Sequence, residues 1–228
     1  MNWAVVALLP VCSGFGQTFN KVDVSGFESL SVNGRIDVNL IQSNQDGLEL
    51  AIEGIDPEKV QVENDHGELS IKIVSTLSYK DVRVLAKVYY SHLEHIHASS
   101  SASISSGEQL VFDTLSVDLM SGGEVAFDLI ADQVNMKCAT GSILQLKGHL
   151  KTLTGQVKSK STLSASELML TDCHMQVRGK SVARIHVSGT MDVKASTWSS
   201  ILYKGTPSKK KFKKVLGGSI EPLMELNP

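Results

Sequence analysis

The sequence predicts an all-β chain, most simply a β-solenoid: a right-handed, parallel β-helix-like repeat with a period of about 19 residues behind a β-hairpin-rich N-terminal part. Three observations predict it. Apolar residues alternate with period two over long stretches, and no window of helical length has a 3.6-residue period. Turn segments of small residues recur at a nearly constant spacing. The 228 residues include 29 Ser, 18 Gly and only five Pro, with 5% aromatics, which suits repeated tight corners better than a deep aromatic pocket. An antiparallel β-sandwich, with a turn after every strand, is the competing architecture.

The opening segment, MNWAVVALLPVCSGFG (1–16), reads as a signal peptide. Within it, positions 3–11 are an apolar run too short to span a bilayer as a helix. Gly14 and Gly16 occupy the −3 and −1 positions of a cleavage site that leaves Gln17 as the mature N-terminus. No Lys or Arg precedes Lys21, so the usual basic leader is missing. Cys12 raises a lipoprotein signal, against which stands bulky Val11 where a small residue is wanted. A buried N-terminal strand is the alternative to export.

Residues 17–95 form the N-terminal β part. Leu30 and Val32, then Ile36, Val38 and Leu40, flank Asn33-Gly34, a pair that tolerates φ > 0 at both central positions of a hairpin turn. Asp46-Gly47 precedes Leu48, Leu50 and Ile52. Asp65-His66-Gly67 precedes Leu69, Ile71 and Ile73, and Val82 to Tyr90 alternate again. Only Asp56-Pro57-Glu58-Lys59 and residues 91–96 have room for a helical turn.

Residues 96–221 repeat, and 222–228 form a tail. Segments begin at Ser101, Gly122, Gly141, Lys160, Val182, Trp198 and Gly217, at intervals of 21, 19, 19, 22, 16 and 19. Several are followed by an alternating apolar pair and a Gly, as in Leu144-x-Leu146-x-Gly148 and Ile185-x-Val187-x-Gly189. One such coil cannot bury its apolar face alone. Stacked coils make a continuous core and satisfy each backbone from above and below. Seven coils at about 4.8 Å give a rod roughly 30 Å long. The drift in spacing keeps the sandwich open.

These residues resemble a known family. Val24-Ser25-Gly26-Phe27-Glu28-Ser29-Leu30-Ser31-Val32-Asn33-Gly34, Asp65-His66-Gly67-Glu68-Leu69, Ser200-Ile201-Leu202-Tyr203-Lys204-Gly205-Thr206-Pro207 and Gly217-Gly218-Ser219-Ile220 are similar to the bacterial head-GIN domain family, which carries an autotransporter-adhesin label. The likeness runs from about Val22 to Ile220. It implies an exported β-helix-like protein and supplies no catalytic residues. Corners at Lys160-Ser161-Thr162, Ser181-Val182-Ala183 and Thr197-Trp198-Ser199 depart from the family's Ser-Gly-Ala-Ser and are expected to be wider or distorted.

The near-zero net charge of −2 hides a cancellation. Residues 1–133 hold 7 basic against 19 acidic side chains, a net −12; residues 134–228 hold 15 against 5, a net +10. In a stacked rod, chain order becomes axial position, so one end is acidic and the other basic. Such polarity steers anionic partners and favours head-to-tail self-association. Its sharpest point is Lys209, Lys210, Lys211, Phe212, Lys213 and Lys214. They form a candidate patch for an anionic glycan, lipopolysaccharide or another envelope surface. Alternatively, they are a solvated loop between the last two coils, whose lysines discourage edge aggregation. Export, the lack of an aromatic platform and a pI near 6.4 argue against nucleic acid. No span is long enough for an integral membrane protein.

Other constellations are weaker. His92, His95 and His97 form one cluster, with His95 and His97 on a common strand face, but no further ligand stands at metal spacing. Cys138 and Cys173 match no metal or redox motif; they either pair or remain buried thiols. Asp113, Asp118, Asp128 and Asp132 are the carboxylates that a β-helix carbohydrate-active enzyme would need. They show no constant coil offset. The function expected is therefore binding or adhesion at the cell envelope, with no catalysis and no cofactor. A carbohydrate-active enzyme and a purely structural envelope module are the alternatives.

Overall fold

The computed structural model describes residues 19–74 and 82–223. It is a β-solenoid of about seven turns with coils near 19 residues. The signal peptide, Gly16, Gln17 and Cys12 lie outside the described residues, as does most of the tail.

The repeat is built by β8 (His95–Ser99), β9 (Ser103–Leu119), β10 (Glu124–Cys138), β11 (Ile143–Lys158) and β12 (Thr162–Arg178). It continues through β13 (Val182–Val187), β14 (Thr190–Ser196), β15 (Ser200–Lys204), β16 (Lys209–Val215) and β17 (Ser219–Pro222). Every neighbouring pair among them is parallel, and β10 keeps one register against β11 along its whole length, from Glu124 beside Ile143 to Cys138 beside Val157. That excludes the antiparallel sandwich. The long strands β9 to β12 wrap the rod by bending at paired outward residues such as Asp132-Gln133, where alternation changes phase.

Register converts alternation into columns. Ile104, Val125, Leu144, Leu163, Ala183, Ile201 and Ile220 stack along one inner face. Leu115, Val134, Leu153, Cys173 and Met191 stack along another. All are buried, and each fully buried Leu or Ile contributes about 1.5–3 kcal/mol. Cys138 stacks between Leu119 and Val157, in a column other than that of Cys173. The two thiols are free. Burial pushes each up to about 12, so they serve as core fillers.

One corner recurs at every coil. Two successive residues take positive φ: Ser100-Ser101, Ser121-Gly122, Thr140-Gly141, Ser159-Lys160, Gly179-Lys180, Thr197-Trp198 and Leu216-Gly217. The second residue donates its N–H to the carbonyl of the first in the next coil, as from Gly122 to Thr140, Lys160 to Gly179 and Trp198 to Leu216. The next position points inward and is always small: Ala102, Gly123, Ser142, Ser161, Ser181, Ser199, Gly218. A Cβ on Gly123 would run into the Ala98 carbonyl. Where this position is Ser, the buried hydroxyl finds a partner. Ser142 Oγ donates to Ser161 Oγ at 3.2 Å, and Ser161 Oγ donates to the Lys158 carbonyl at 2.8 Å.

Two expectations change here. The three non-consensus corners are not distorted; they keep the same positive-φ pair. The segment placed at Val182 begins two residues earlier, at Lys180-Ser181, so intervals of 22 and 16 become 20 and 18.

The N-terminal part uses β1 (Asn20–Val22), β2 (Ser29–Asn33), β3 (Ile36–Gln42), β4 (Gly47–Glu53), β5 (Val60–Asp65), β6 (Glu68–Ile73) and β7 (Arg83–Tyr90). Asp65-His66-Gly67 makes the expected hairpin between β5 and β6, with φ of 49° at His66 and 78° at Gly67. Asn33-Gly34 does not. β2 lies parallel between β6 and β8, and β3 lies parallel between β7 and β9. Both edges of each strand are taken, so Asn33-Gly34 is a coil corner. Asn33 Nδ2 donates to Ser99 Oγ of the neighbouring coil at 2.8 Å. The later strands β6 and β7 thus lie outside the earlier β2 and β3, and antiparallel β5, β4 and β1 close this end. Chain order is axial order only from β8 onward. A 3-10 turn, Pro57–Lys59, is capped by Asp56, which accepts from Glu58 N–H at 3.0 Å. No helix among the described residues is long and apolar enough to cross a membrane.

Candidate functional site

The lysine segment is a strand. β16 pairs with β14 on one side, and among the described residues no strand pairs with its other side. Register sets Lys210, Phe212 and Lys214 over Met191, Val193 and Ala195, at the open ends of the core columns. Lys209, Lys211 and Lys213 stand over Thr190, Asp192 and Lys194. β16 is exposed along its whole length. The structure therefore brings all six patch residues onto one rung, and the loop alternative falls. Lysines end a sheet that an apolar rung would leave prone to further pairing. Lys211 Nζ lies 2.9 Å from Asp192 Oδ2. Lys210 Nζ sits 5.6 Å from the centre of the Tyr203 ring, which Phe212 meets edge-on at 5.7 Å.

The four aspartates do not converge. Asp118, Asp128 and Asp132 each face a lysine one coil on: Lys137 at 3.7 Å, Lys147 at 3.5 Å and Lys151 at 2.6 Å. Asp113 occupies the same corner as Asp132, one coil below. A constant offset thus exists, and it runs between acid and base. The abrupt sign change near residue 133 is where an acidic coil stacks on a basic one.

His95 and His97 share an outward face of β8, as alternation requires, beside Ser29 and Ser31 of β2 and Ser116 and Asp118 of β9. His92 Nε2 turns to Glu94 Oε1 at 3.0 Å. Among the described residues no three His, Cys, Asp or Glu side chains gather to hold a metal. Asp172, at an outward corner, has its carboxyl held below the usual range, chiefly by the Thr190 backbone N–H, 2.6 Å from Oδ1.

Sequence reasoning missed a trough of about 350 Å³ across β9 to β12, lined by Gln109, Asp128, Lys147 and Glu167 among others. Outward bulges make its walls. β9 carries two extra residues against β10 before Gln109, and β12 carries one extra against β11 before Glu167. The signal was present in the spacing, since two of the corner intervals are longer than the rest by those insertions. Gln109 Nε2 donates to Asp128 Oδ1 at 2.9 Å. The trough is polar and of mixed charge.

The family profile described as "putative auto-transporter adhesin, head GIN domain" matches residues 26–207. The chain belongs to this family. Solved structures share this β-solenoid fold at low sequence identity. A putative adhesin from Bacteroides fragilis superposes with a TM-score of 0.76 at 18% identity, covering 92% of this chain and 98% of that one. A putative adhesin from Parabacteroides merdae gives 0.65 at 16%, with coverages of 92% and 98%. A putative lipid binding protein from Parabacteroides distasonis gives 0.67 at 14%, with 91% and 96%. No curated protein matches the sequence. Such likenesses show the β-solenoid fold, and the family label places this chain among adhesin-like proteins.

Proposed function

We propose that the protein is an exported, non-catalytic binding module of the cell envelope that holds an anionic glycan on its C-terminal rung, lipopolysaccharide saccharide included. One observation carries this reading: five lysines and Phe212 share the exposed strand β16, where Asp192 pairs with Lys211 and Asp172 lies close enough to Lys209 to feel its charge. Successive outward lysines are about 6.6 Å apart along a strand, a row of charges suited to a linear polyanion. Multiple charge contacts of this kind are strong at low salt and screened at high salt. The family label of adhesin and the pairing of three candidate acids with lysines support binding over hydrolysis.

The test is binding of the full chain to purified lipopolysaccharide and to acidic and neutral polysaccharides. The acidic ligands are expected to bind, with affinity falling steeply in salt. Replacing Lys209, Lys210, Lys211, Lys213 and Lys214 by Gln abolishes it. Equal binding of neutral polymers, or no effect of the replacement, refutes the reading. Sequencing the N-terminus of the cell-envelope protein tests export, with Gln17 expected first.

A further inference from the structure

We infer that the upper part of the recurring corner is a docking ridge for an anionic phospholipid bilayer, a second surface distinct from β16. Along its first three coils this corner carries Ser100-Ser101, Ser121-Gly122 and Thr140-Gly141 at positive φ, short residues of which only Thr140 is β-branched. Higher up, the same positions hold Lys160, Lys180, Trp198 and Leu216, with φ of 64°, 60°, 59° and 49°. Bulky side chains are poorly tolerated there. Trp198 and Leu216 gain little burial in exchange. They are 72% and 74% exposed, the two most exposed large apolar residues described. A strained position filled by an unburied tryptophan points to contact outside the chain.

The two apolar tips are adjacent: Trp198 N–H donates to the Leu216 carbonyl at 3.1 Å. The indole lies across Gly217, where an added Cβ would come within 2.7 Å of it. Lys180 and Lys160 occupy the same corner position one and two coils below, about 4.8 Å per coil. Lys158 and Arg178 flank them and line an open depression along the ridge with Thr140 and Thr197. No acidic residue occurs at 158–160, 178–180, 196–199 or 215–217.

This arrangement selects a flat, negatively charged, amphipathic partner. A solenoid corner is convex, so Trp198, laid against Gly217, presents the free face of its indole outward rather than lining a cleft that would enclose a sugar. Indole prefers the boundary between headgroups and acyl chains, and Leu216 beside it can enter the apolar layer. The four cations behind them then lie at phosphate depth, their stems covering apolar surface. Apolar tip and basic flank supply the two signals that stable peripheral anchoring needs.

The experiment is flotation of the full chain with phosphatidylcholine vesicles, with and without phosphatidylglycerol. Binding is expected only to the anionic vesicles. The pair Trp198→Asn and Leu216→Asn should lower partitioning by about tenfold or more. Asn tolerates positive φ, so the urea midpoint of this variant stays level or rises, which separates lost contact from lost fold. Lys160→Gln and Lys180→Gln should each lower partitioning roughly fivefold. No binding to anionic vesicles, or undiminished binding by the Asn pair, overturns the inference. So does a loss caused by the five-lysine replacement in β16 and not by the ridge variants. Loss of glycan binding in that β16 variant, with vesicle binding intact, supports both surfaces as separate sites. Failure of the glycan reading alone leaves the ridge standing.

Discussion

The N-terminal part, from β1 to β7, and the coils from β8 onward share one sequence texture and reach different topologies. Both alternate apolar and polar residues, and both bury most of the apolar set in one core. In the coils each rung lies against the one formed one turn earlier in the chain. In the N-terminal part, β2 is enclosed by strands that follow it, with Leu30 beside both Leu69 and Ile96. Alternation alone therefore does not set topology. It decides which face of a strand is inside, and leaves open which strand lies beside it. Partner choice comes from the turns. A positive-φ pair followed by a small inward residue, recurring once per coil, forces stacking. Asn33-Gly34, Asp46-Gly47 and Asp65-His66-Gly67, at irregular distances, do not.

Core truncation probes this contrast most strongly. Leu30→Ala and Leu163→Ala each remove a fully buried side chain stacked on both sides and should cost about 2–5 kcal/mol in urea unfolding. Hydrogen exchange separates them: Leu163→Ala should loosen β12 to β17 first, whereas Leu30→Ala should weaken β6 and β8 together. Identical exchange patterns would mean that the two parts unfold as one unit and erase the distinction. Next comes the corner itself. Gly123→Ala presses a Cβ on the Ala98 carbonyl and should cost about 1–3 kcal/mol, while Gly107→Ala, with nothing within 4 Å of the new atom, should stay within about 0.5 kcal/mol.

The buried thiols give a pH signature of the coils. Folding raises Cys138 and Cys173 from 9.0 to about 12. The unfolded chain therefore releases these protons first, and stability falls as pH rises above 9. At pH 10 the loss is about 1.4 kcal/mol per thiol. The slope between pH 9 and 10 should flatten in a Cys138→Ala, Cys173→Ala variant. An unchanged slope would assign it to other groups, such as Tyr90, whose hydroxyl burial also pushes upward. The smallest effect belongs to the charge boundary. Asp132→Asn breaks an exposed pair with Lys151 and should cost under about 1 kcal/mol at low salt, vanishing in concentrated salt.

Much of the coil architecture was legible in the chain, because a solenoid repeats its signals. Ser101, Gly122, Gly141, Trp198 and Gly217 each mark the second corner residue. Lys180 was hidden, since Gly179-Lys180 puts the small residue first and moves the apparent unit to Val182. The nesting of β2 and β3 was not legible. Asn-Gly has the same backbone preference in a hairpin and in a coil corner, and only the strands on either side distinguish them. For the site, the clustering of lysines was plain, but their strand state was not: so dense a run of lysines reads as solvated loop, and pairing with β14 overrides that preference. The ion pairs of Asp118, Asp128 and Asp132 escaped notice for want of a register, although each partner stands one coil further along the chain.

The two ends of the rod also differ in how they bear load. Inter-strand hydrogen bonds in a solenoid run along its axis, so tension applied there pulls rungs apart rather than sliding them. At the C-terminal end, β16 and β17 are each held by one neighbour, β14 and β15, and can be peeled away singly. At the other end β1 and β5 are likewise held by one neighbour each, β4 and β6, but β2 and β3 behind them are gripped on both edges by β6, β8, β7 and β9. Release of β2 or β3 must break two seams at once. Pulled at its lysine rung, the molecule would yield from that tip downward, coil by coil, whereas at the other end the retreat would stop at β2 and β3.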